Sequence, residues 1–322
     1  MEDTHETLLY IAYNLENQNQ TITIDAVRRH LEWMENREFI IEEDIDWLVR
    51  NGFLNSQGKN EFKLTVMGKN ESFKINKIRA KDDYNRLMGS FTASAAYLDY
   101  CEEIYGYRMY LFNMMDKQQL DYLFNSVAIS KSDTVLDLGC GPGSILDYLV
   151  KKYSCHGIGI DQINQSIVKK CGKMISYING DIDMLSSYNI KPNVTLSIDS
   201  LYFSSDLDML IRQLTSIKNN RLYLFYSQYI FDETKKDESA LHRDNTRIAR
   251  ALQKNGTQYK TVDYSENEYS LYEKALKVLP QYKNAFVREG NLDLYEAKLR
   301  ENKSGKVLYE KGLACRYLYI VE

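Results

Sequence analysis

Val135-Leu136-Asp137-Leu138-Gly139-Cys140-Gly141-Pro142-Gly143 decides the fold. An apolar run of strand type enters three glycines spaced GxGxG, and a helix is expected to begin near Ser144. Glycine is required where backbone turns tightly or a ligand approaches with no Cβ in the way. The N-terminus of the following helix offers N–H groups and positive potential to a carboxylate or phosphate. Ser144 stands where a dinucleotide-binding GxGxxG loop has its third glycine, and Asp137 sits inside the strand. Both features separate this loop from the dinucleotide type.

Working outward, short apolar runs alternate with amphipathic stretches from residue 131 onward. Strands are predicted at 134–138, 156–160, 175–179, 194–199, 221–227, 258–264 and 315–321. Helices are predicted between them at about 143–152, 164–173, 206–218 and 239–254, with a helical insertion at about 267–303. This alternation implies a Rossmann-like α/β fold: a seven-stranded, mostly parallel sheet with helices on both faces. Three carboxylates follow at the ends of successive strands: Asp161 after Ile158-Gly159-Ile160, Asp181 after Asn179-Gly180, and Asp199 after Leu196-Ser197-Ile198.

The glycine loop and these acids resemble the class I S-adenosylmethionine-dependent methyltransferases over residues 131–265. The resemblance implies S-adenosylmethionine as cofactor, bound by Asp137, Gly139, Cys140, Gly141, Gly143, Asp161, Gln162, Asp181, Ile182 and Asp199. It assigns Asp161 to the ribose hydroxyls, Asp181 to the adenine amino group and Ile182 to the adenine ring. Asp199-Ser200-Leu201-Tyr202-Phe203 through Asp206-Leu207, with Glu289-Gly290-Asn291-Leu292, resembles the sarcosine and dimethylglycine N-methylating type, which implies an amine acceptor. Tyr202, Tyr226, Gln228, Tyr97, Tyr105 and Arg108 are the candidates for the substrate pocket. Tyr202 and His242 are the candidate catalytic residues. His242 lies where aromatic O-methyltransferases with an N-terminal winged-helix dimerisation domain carry a histidine, but the competing reading is an exposed helix histidine. The acceptor is accordingly an amine or a hydroxyl of a small molecule.

The N-terminal region has its own pattern. Leu8, Leu9, Ala12 and Leu15 make one helical stripe. A second helix carries Ala26, Val27 and Leu31 behind a cap at Thr23 or Asp25, and a third spans about 42–50 with Ile45, Leu48 and Val49 inward, ended by Gly52. A turn at Ser56-Gln57-Gly58-Lys59, a strand 61–64 and Leu64-Thr65-x-x-Gly68 complete a resemblance to a winged-helix domain. The expected organisation is 1–72 winged-helix-like, 73–130 a helical connector or lid, and 131–322 the methyltransferase domain.

A winged helix raises a rival class, a ligand-sensing DNA-binding regulator. Residues 1–70 carry thirteen acidic and seven basic side chains, and the third helix opens Glu42-Glu43-Asp44. That charge opposes phosphate. The module is expected instead to be a lid or a dimerisation element, which would make the chain a homodimer. The fourth-strand motif also lacks the Asn/Asp-Pro-Pro pattern of base-methylating enzymes, so no nucleic-acid partner is expected. The net charge of −4 gives no general attraction to anionic membrane, and no apolar run is long enough to span one. Five cysteines with no CxxC pair, and four scattered histidines, point to reduced thiols in the cytoplasm and to no metal site.

Overall fold

The computed structural model describes residues 3–17, 20–34, 41–163, 174–231 and 237–322. The chain divides into two compact units: Met1–Asp83 with Gln228–Leu241 and Val307–Ala314, and Tyr84–Ser227 with His242–Lys306 and Cys315–Glu322.

The first unit opens with α1 (Asp3–Asn17), β1 (Ile22–Thr23), α2 (Ile24–Met34), α3 (Ile41–Arg50), β2 (Leu54–Gly58) and β3 (Glu61–Leu64). The strands form an antiparallel sheet in the order β1-β3-β2. Thr23 is the α2 cap, its hydroxyl accepting from the Ala26 N–H at 3.0 Å. Leu8, Leu9, Ala12, Leu15, Ala26 and Val27 are buried together with Ile45, Leu48 and Leu54. The expected apolar stripes thus meet in one core, while Val49 is only partly buried at its edge. The hairpin turn falls one step later than the expected Ser56–Lys59: β2 continues through Gly58, and Asn60 takes the left-handed conformation at φ 63°. Gln20 accepts from the Phe231 N–H (3.1 Å) and donates to the Tyr229 carbonyl (2.7 Å), tying this unit's later segment to its start. A single helix, α4 (Val66–Ala93), runs across the expected boundary at residue 72.

The second unit contains α5 (Ala95–Tyr105), α6 (Lys117–Asn125), β4 (Thr134–Leu138), α7 (Ser144–Tyr153), β5 (His156–Asp161), β6 (Ile175–Asn179), β7 (Val194–Ile198) and α8 (Leu207–Ser216). The chain goes on through β8 (Arg221–Tyr229), α9 (Arg247–Lys254), β9 (Lys260–Asp263), α10 (Ser265–Arg288), α11 (Leu292–Glu310) and β10 (Ala314–Val321). The seven-stranded sheet has the order β6-β5-β4-β7-β8-β10-β9. The pairs β6/β5, β5/β4, β4/β7 and β7/β8 are parallel, and β10 pairs antiparallel with β9. From β4 the chain builds outward to β6, then returns to the other side of β4 to lay down β7 and β8. The order therefore reverses between β4 and β7, the switch point at whose carboxyl ends open α/β sheets bind ligands.

All seven strands stand within a few residues of their predicted positions. The helix expected at 164–173 lies outside the described residues. The helix expected at 239–254 begins later: a 3₁₀ turn covers Glu238–Leu241, and Thr246 caps α9 through the Ala249 N–H. The helical insertion expected at about 267–303 is made of two helices, α10 and α11, divided at Gly290 with φ 72°. Among the described residues no helix is long and apolar enough to cross a membrane. Also among them, no three His, Cys, Asp or Glu side chains are grouped to hold a metal ion. Cys101, Cys140, Cys155 and Cys315 are free thiols.

Candidate active site

The glycine-loop side of the candidate site is built largely from the β4–α7 turn and the end of β5. Gly139, Gly141 and Gly143 have φ of 73°, 52° and 81°. A Cβ at Gly139 would collide with Ser200, and one at Gly143 with the Tyr177 ring, so only glycine fits there. At Gly141 a Cβ would meet open space. The loop is packed from behind and open in front, as a ligand cradle requires. Gly143 begins α7 without a side-chain cap, which leaves the first-turn N–H groups available to an anion.

Asp161 closes the cradle. Its Oδ2 accepts from the Gly141 N–H (2.7 Å) and its Oδ1 from the Ile163 N–H (3.0 Å). Burial raises its pKa, while the backbone N–H groups of Ile163, Gly141 and Gln162 oppose the shift. A carboxylate has about four lone-pair directions, so with three N–H groups bound one remains for a ligand hydroxyl. Gln162 is half-buried beside it. Asp137 lies buried under the loop, where burial first and the Asp161 charge second push its carboxyl up to about 7. Cys140 sits in the turn with its N–H on the Ile160 carbonyl at 3.2 Å, and burial pushes its thiol up. A Cβ at Gly159 would strike the Cys140 sulfur, so that glycine makes room for it. Asp181 caps the turn Ile182–Tyr188 by accepting from the Asp183 N–H (3.0 Å), and Ile182 is buried next to it. These groups fit an adenosine with a charged amino-acid tail: a hydroxyl acceptor, an apolar contact and an uncapped helix start.

The β7 end holds a different arrangement, centred on a residue that the sequence reading did not single out. Arg316, on β10, has no exposed side-chain surface. It gives both Asp199 oxygens a hydrogen bond (2.7 and 3.1 Å), and others to Gln119 Oε1 (2.7 Å) and Ser227 Oγ (2.7 Å). Ser227 in turn donates to Glu268 (2.6 Å), which also accepts from the Tyr272 hydroxyl (2.8 Å). Burial works against the guanidinium's charge, but Asp199 and Glu268 hold its pKa well above the ordinary value. Breaking such a buried pair by removing one partner typically costs about 3–5 kcal/mol. The signal for Arg316 was a lone cation within an apolar strand sequence, Ala314-Cys315-Arg316-Tyr317-Leu318.

The structure places Tyr202 beside this network. Its hydroxyl donates to Asp199 Oδ1 (3.2 Å) and accepts from the Ser227 N–H (2.8 Å). Burial and the nearby Asp199 charge push the phenol well above the ordinary tyrosine range. A phenol so tied and so weakly acidic is no proton acceptor at neutral pH; what it offers a ligand is its half-buried ring. That ring packs at a tilt of 35° against the buried Tyr226 ring, centroids 4.7 Å apart. Gln228 belongs to the other unit, where it donates to the Ala240 carbonyl (2.8 Å).

Tyr97 and Tyr105 are buried rather than set on a ligand-facing wall. Their hydroxyls bond the Leu111 carbonyl (2.7 Å) and the Asn113 carbonyl (3.2 Å). They thus support from behind the segment whose next N–H, at Met114, donates to Asp199 Oδ2 (2.8 Å). Arg108 is exposed and paired with Asp99 and Glu102 at 2.5 and 2.7 Å. His242 has 58% of its side chain exposed, with Asp244 3.6 Å away. The adjacent Arg243 carbonyl accepts from Tyr319, which alternation along β10 puts on the face opposite Arg316. Glu289, from the second family-like stretch, caps α5 by accepting from the Ser94 hydroxyl (2.5 Å) and the Ala96 N–H (2.9 Å).

A family model described as methionine biosynthesis protein MetW matches residues 119–195. No curated sequence matches the chain. Among solved structures, the chain is similar to phosphoethanolamine N-methyltransferase 2 of Haemonchus contortus, solved with phosphomonomethylethanolamine and S-adenosylhomocysteine. Identity is 13% and the TM-score 0.57, over 87% of this chain and 73% of that one. It is also similar to the cyclopropane synthase MmaA2 of Mycobacterium tuberculosis, at 11% identity and TM-score 0.55, over 74% of this chain and 97% of that one. The Rossmann-like fold is shared with these two structures.

Proposed function

We propose that the chain is an S-adenosylmethionine-dependent methyltransferase acting on an amine or hydroxyl of a small molecule. The observation that carries this reading is the cradle of Gly139, Gly141 and Gly143 closed by Asp161 at the switch point of the sheet. Bound there, the cofactor would supply a methyl group already activated on a positively charged sulfur. Asp161 would accept from a ribose hydroxyl, Ile182 would pack on the adenine and Asp181 would take its amino group. The start of α7 would face the anionic tail. The remaining task is alignment of the acceptor and exclusion of water, which in favourable cases accounts for about 7–11 kcal/mol of a barrier. The half-buried Tyr202 ring, backed by the buried Tyr226, would give the acceptor an aromatic surface, suited to an ammonium through its π face. The pinned Tyr202 hydroxyl and the exposed His242 favour an amine that loses its proton to solvent.

The residues 1–72 are read as a winged-helix-like module that serves as a lid or homodimer contact, 73–130 as a connector, and 131–322 as the methyltransferase domain of a cytoplasmic protein. The helix and strand order of the first unit supports the module. The charge of α3 opposes a role in DNA binding, since Arg28 and Arg50 pair with Glu42 and Asp46 of this helix.

The test is calorimetry of the full chain with S-adenosylmethionine, S-adenosylhomocysteine and NAD. Binding of the first two and not the third is expected. NAD binding alone would replace this reading with a dehydrogenase-like one. A mass-shift screen of amines and phenols then separates the acceptor classes.

A further inference from the structure

Asp199 is unusual in two ways. It holds φ 52°, in the left-handed region where aspartate is one of the few non-glycine residues found. Its carboxylate also has a complete set of partners: Arg316 on both oxygens, the Met114 N–H and the Tyr202 hydroxyl. The position is fixed relative to the donor cradle as well. β7 pairs with β4 as far as Leu138↔Ser197. The next residue after Asp199, Ser200, donates to the Leu138 carbonyl (2.5 Å) and fills the space where a Gly139 side chain would stand. The Asp199 carboxylate, 11% exposed, therefore lies at the rim between the glycine loop and the Tyr202–Tyr226 rings. A lone carboxylate there would attract any cationic ligand in its ground state and would change position with it. A carboxylate locked to a guanidinium does neither.

We propose that Arg316 is a positioning residue of the transfer site, which fixes Asp199 and presents the end of β7 to a cationic sulfonium as an ion pair rather than as a free carboxylate. This rests on the methyltransferase reading. The same guanidinium engages Gln119, which reaches toward the Met114 carbonyl at 3.4 Å, so Asp199 and the 111–114 segment are held by one group. Arg316 touches neither donor nor acceptor; it acts through Asp199.

The two forms of the cofactor differ by one charge at one atom, which makes them the probe. The quantity to measure is the ratio of dissociation constants, S-adenosylhomocysteine over S-adenosylmethionine, by calorimetry on the full chain. Arg316→Gln uncovers the Asp199 charge and should raise the ratio about fivefold, at an effective dielectric typical of a partly buried pair. Asp199→Asn uncovers the guanidinium and should move the ratio the other way. Arg316→Lys keeps the cation and should stay within about twofold of wild type. The double variant, with neither charge, should return close to the wild-type ratio. Equal weakening of both ligands by the two single variants, with the ratio unchanged, would overturn the proposal and leave Arg316 a purely structural residue. If Arg316→Gln does not fold, Asp199→Asn decides by the same criterion. Wild-type protein that binds neither compound would sink the methyltransferase reading itself, an outcome distinct from an unchanged ratio.

Discussion

The donor cradle and the β7 rim lie at the same edge of one sheet, yet they are assembled by opposite means. The cradle is local: the Gly141 N–H and the Asp161 carboxylate that accepts it are 20 residues apart. Its specificity comes from backbone, through Gly139 and Gly143, where a side chain would collide, and N–H groups aimed at one space. The rim is distant: Arg316 reaches Gln119, Asp199 and Ser227 across 197, 117 and 89 residues. Its specificity comes from side chains and buried charge. The contrast teaches that a ligand site built from backbone can be recognised as a motif, whereas one built from a charge network has to be found in three dimensions.

Substitutions can test this division. The largest effect is expected at Gly139. Gly139→Ala forces a side chain against Ser200 in a left-handed backbone, at a cost of about 2–4 kcal/mol. Denaturant unfolding should show the loss, and cofactor binding should disappear with it. If the variant retains both stability and affinity, the loop is not the rigid cradle described.

Asp161→Ala comes next. It removes a hydroxyl acceptor without touching the sulfur end, so both cofactor forms should weaken by roughly 10–100-fold together. A change confined to one of them would move Asp161 from the ribose to the reacting end.

Smaller is the effect of Asp137, whose carboxyl is pushed up to about 7 by burial and by Asp161. The folded protein keeps this proton while the unfolded chain releases it near pH 4. Stability of the ligand-free protein should therefore fall as pH rises from about 4 to 7 and stay low above that. Asp137→Asn should remove that slope and stabilise the protein at pH 8. Thermal unfolding against pH reads both.

The smallest effect is expected at His242. With an acceptor in hand from the screen, His242→Ala should transfer methyl groups within about twofold of wild type across neutral pH, because so exposed a side chain away from the rim has no proton to take. Abolished activity at neutral pH with partial return at high pH would restore His242 as the base.

The same division explains what could be read in the sequence. The strands are legible because most are short apolar runs, the edge strand β9 (Lys260–Asp263) being the polar exception, and the cradle because its glycines and acids keep a fixed spacing. Tyr97 and Tyr105 are pocket candidates by residue type, yet positions 97, 100, 101, 104 and 105 have the spacing of one buried helix face. Periodicity was the better guide there. The split of the insertion at Gly290 was marked by that glycine, which had been assigned to a family-like motif. Gln119, Glu268 and Arg316 are single polar residues in separate elements, and nothing in a linear pattern says that they converge.

The long spans closed by Arg316 also bear on how the protein acquires its site. Closing a loop costs entropy that grows with the logarithm of its length, and contacts between distant residues slow folding. The segment from β4 to β5 can settle into its cradle while the rim is still open. Until β10 docks, Asp199 has neither its guanidinium nor a reason to hold a left-handed backbone. During refolding, then, the glycine cradle should form before the charge network at the end of β7, which waits for β10 to join the sheet.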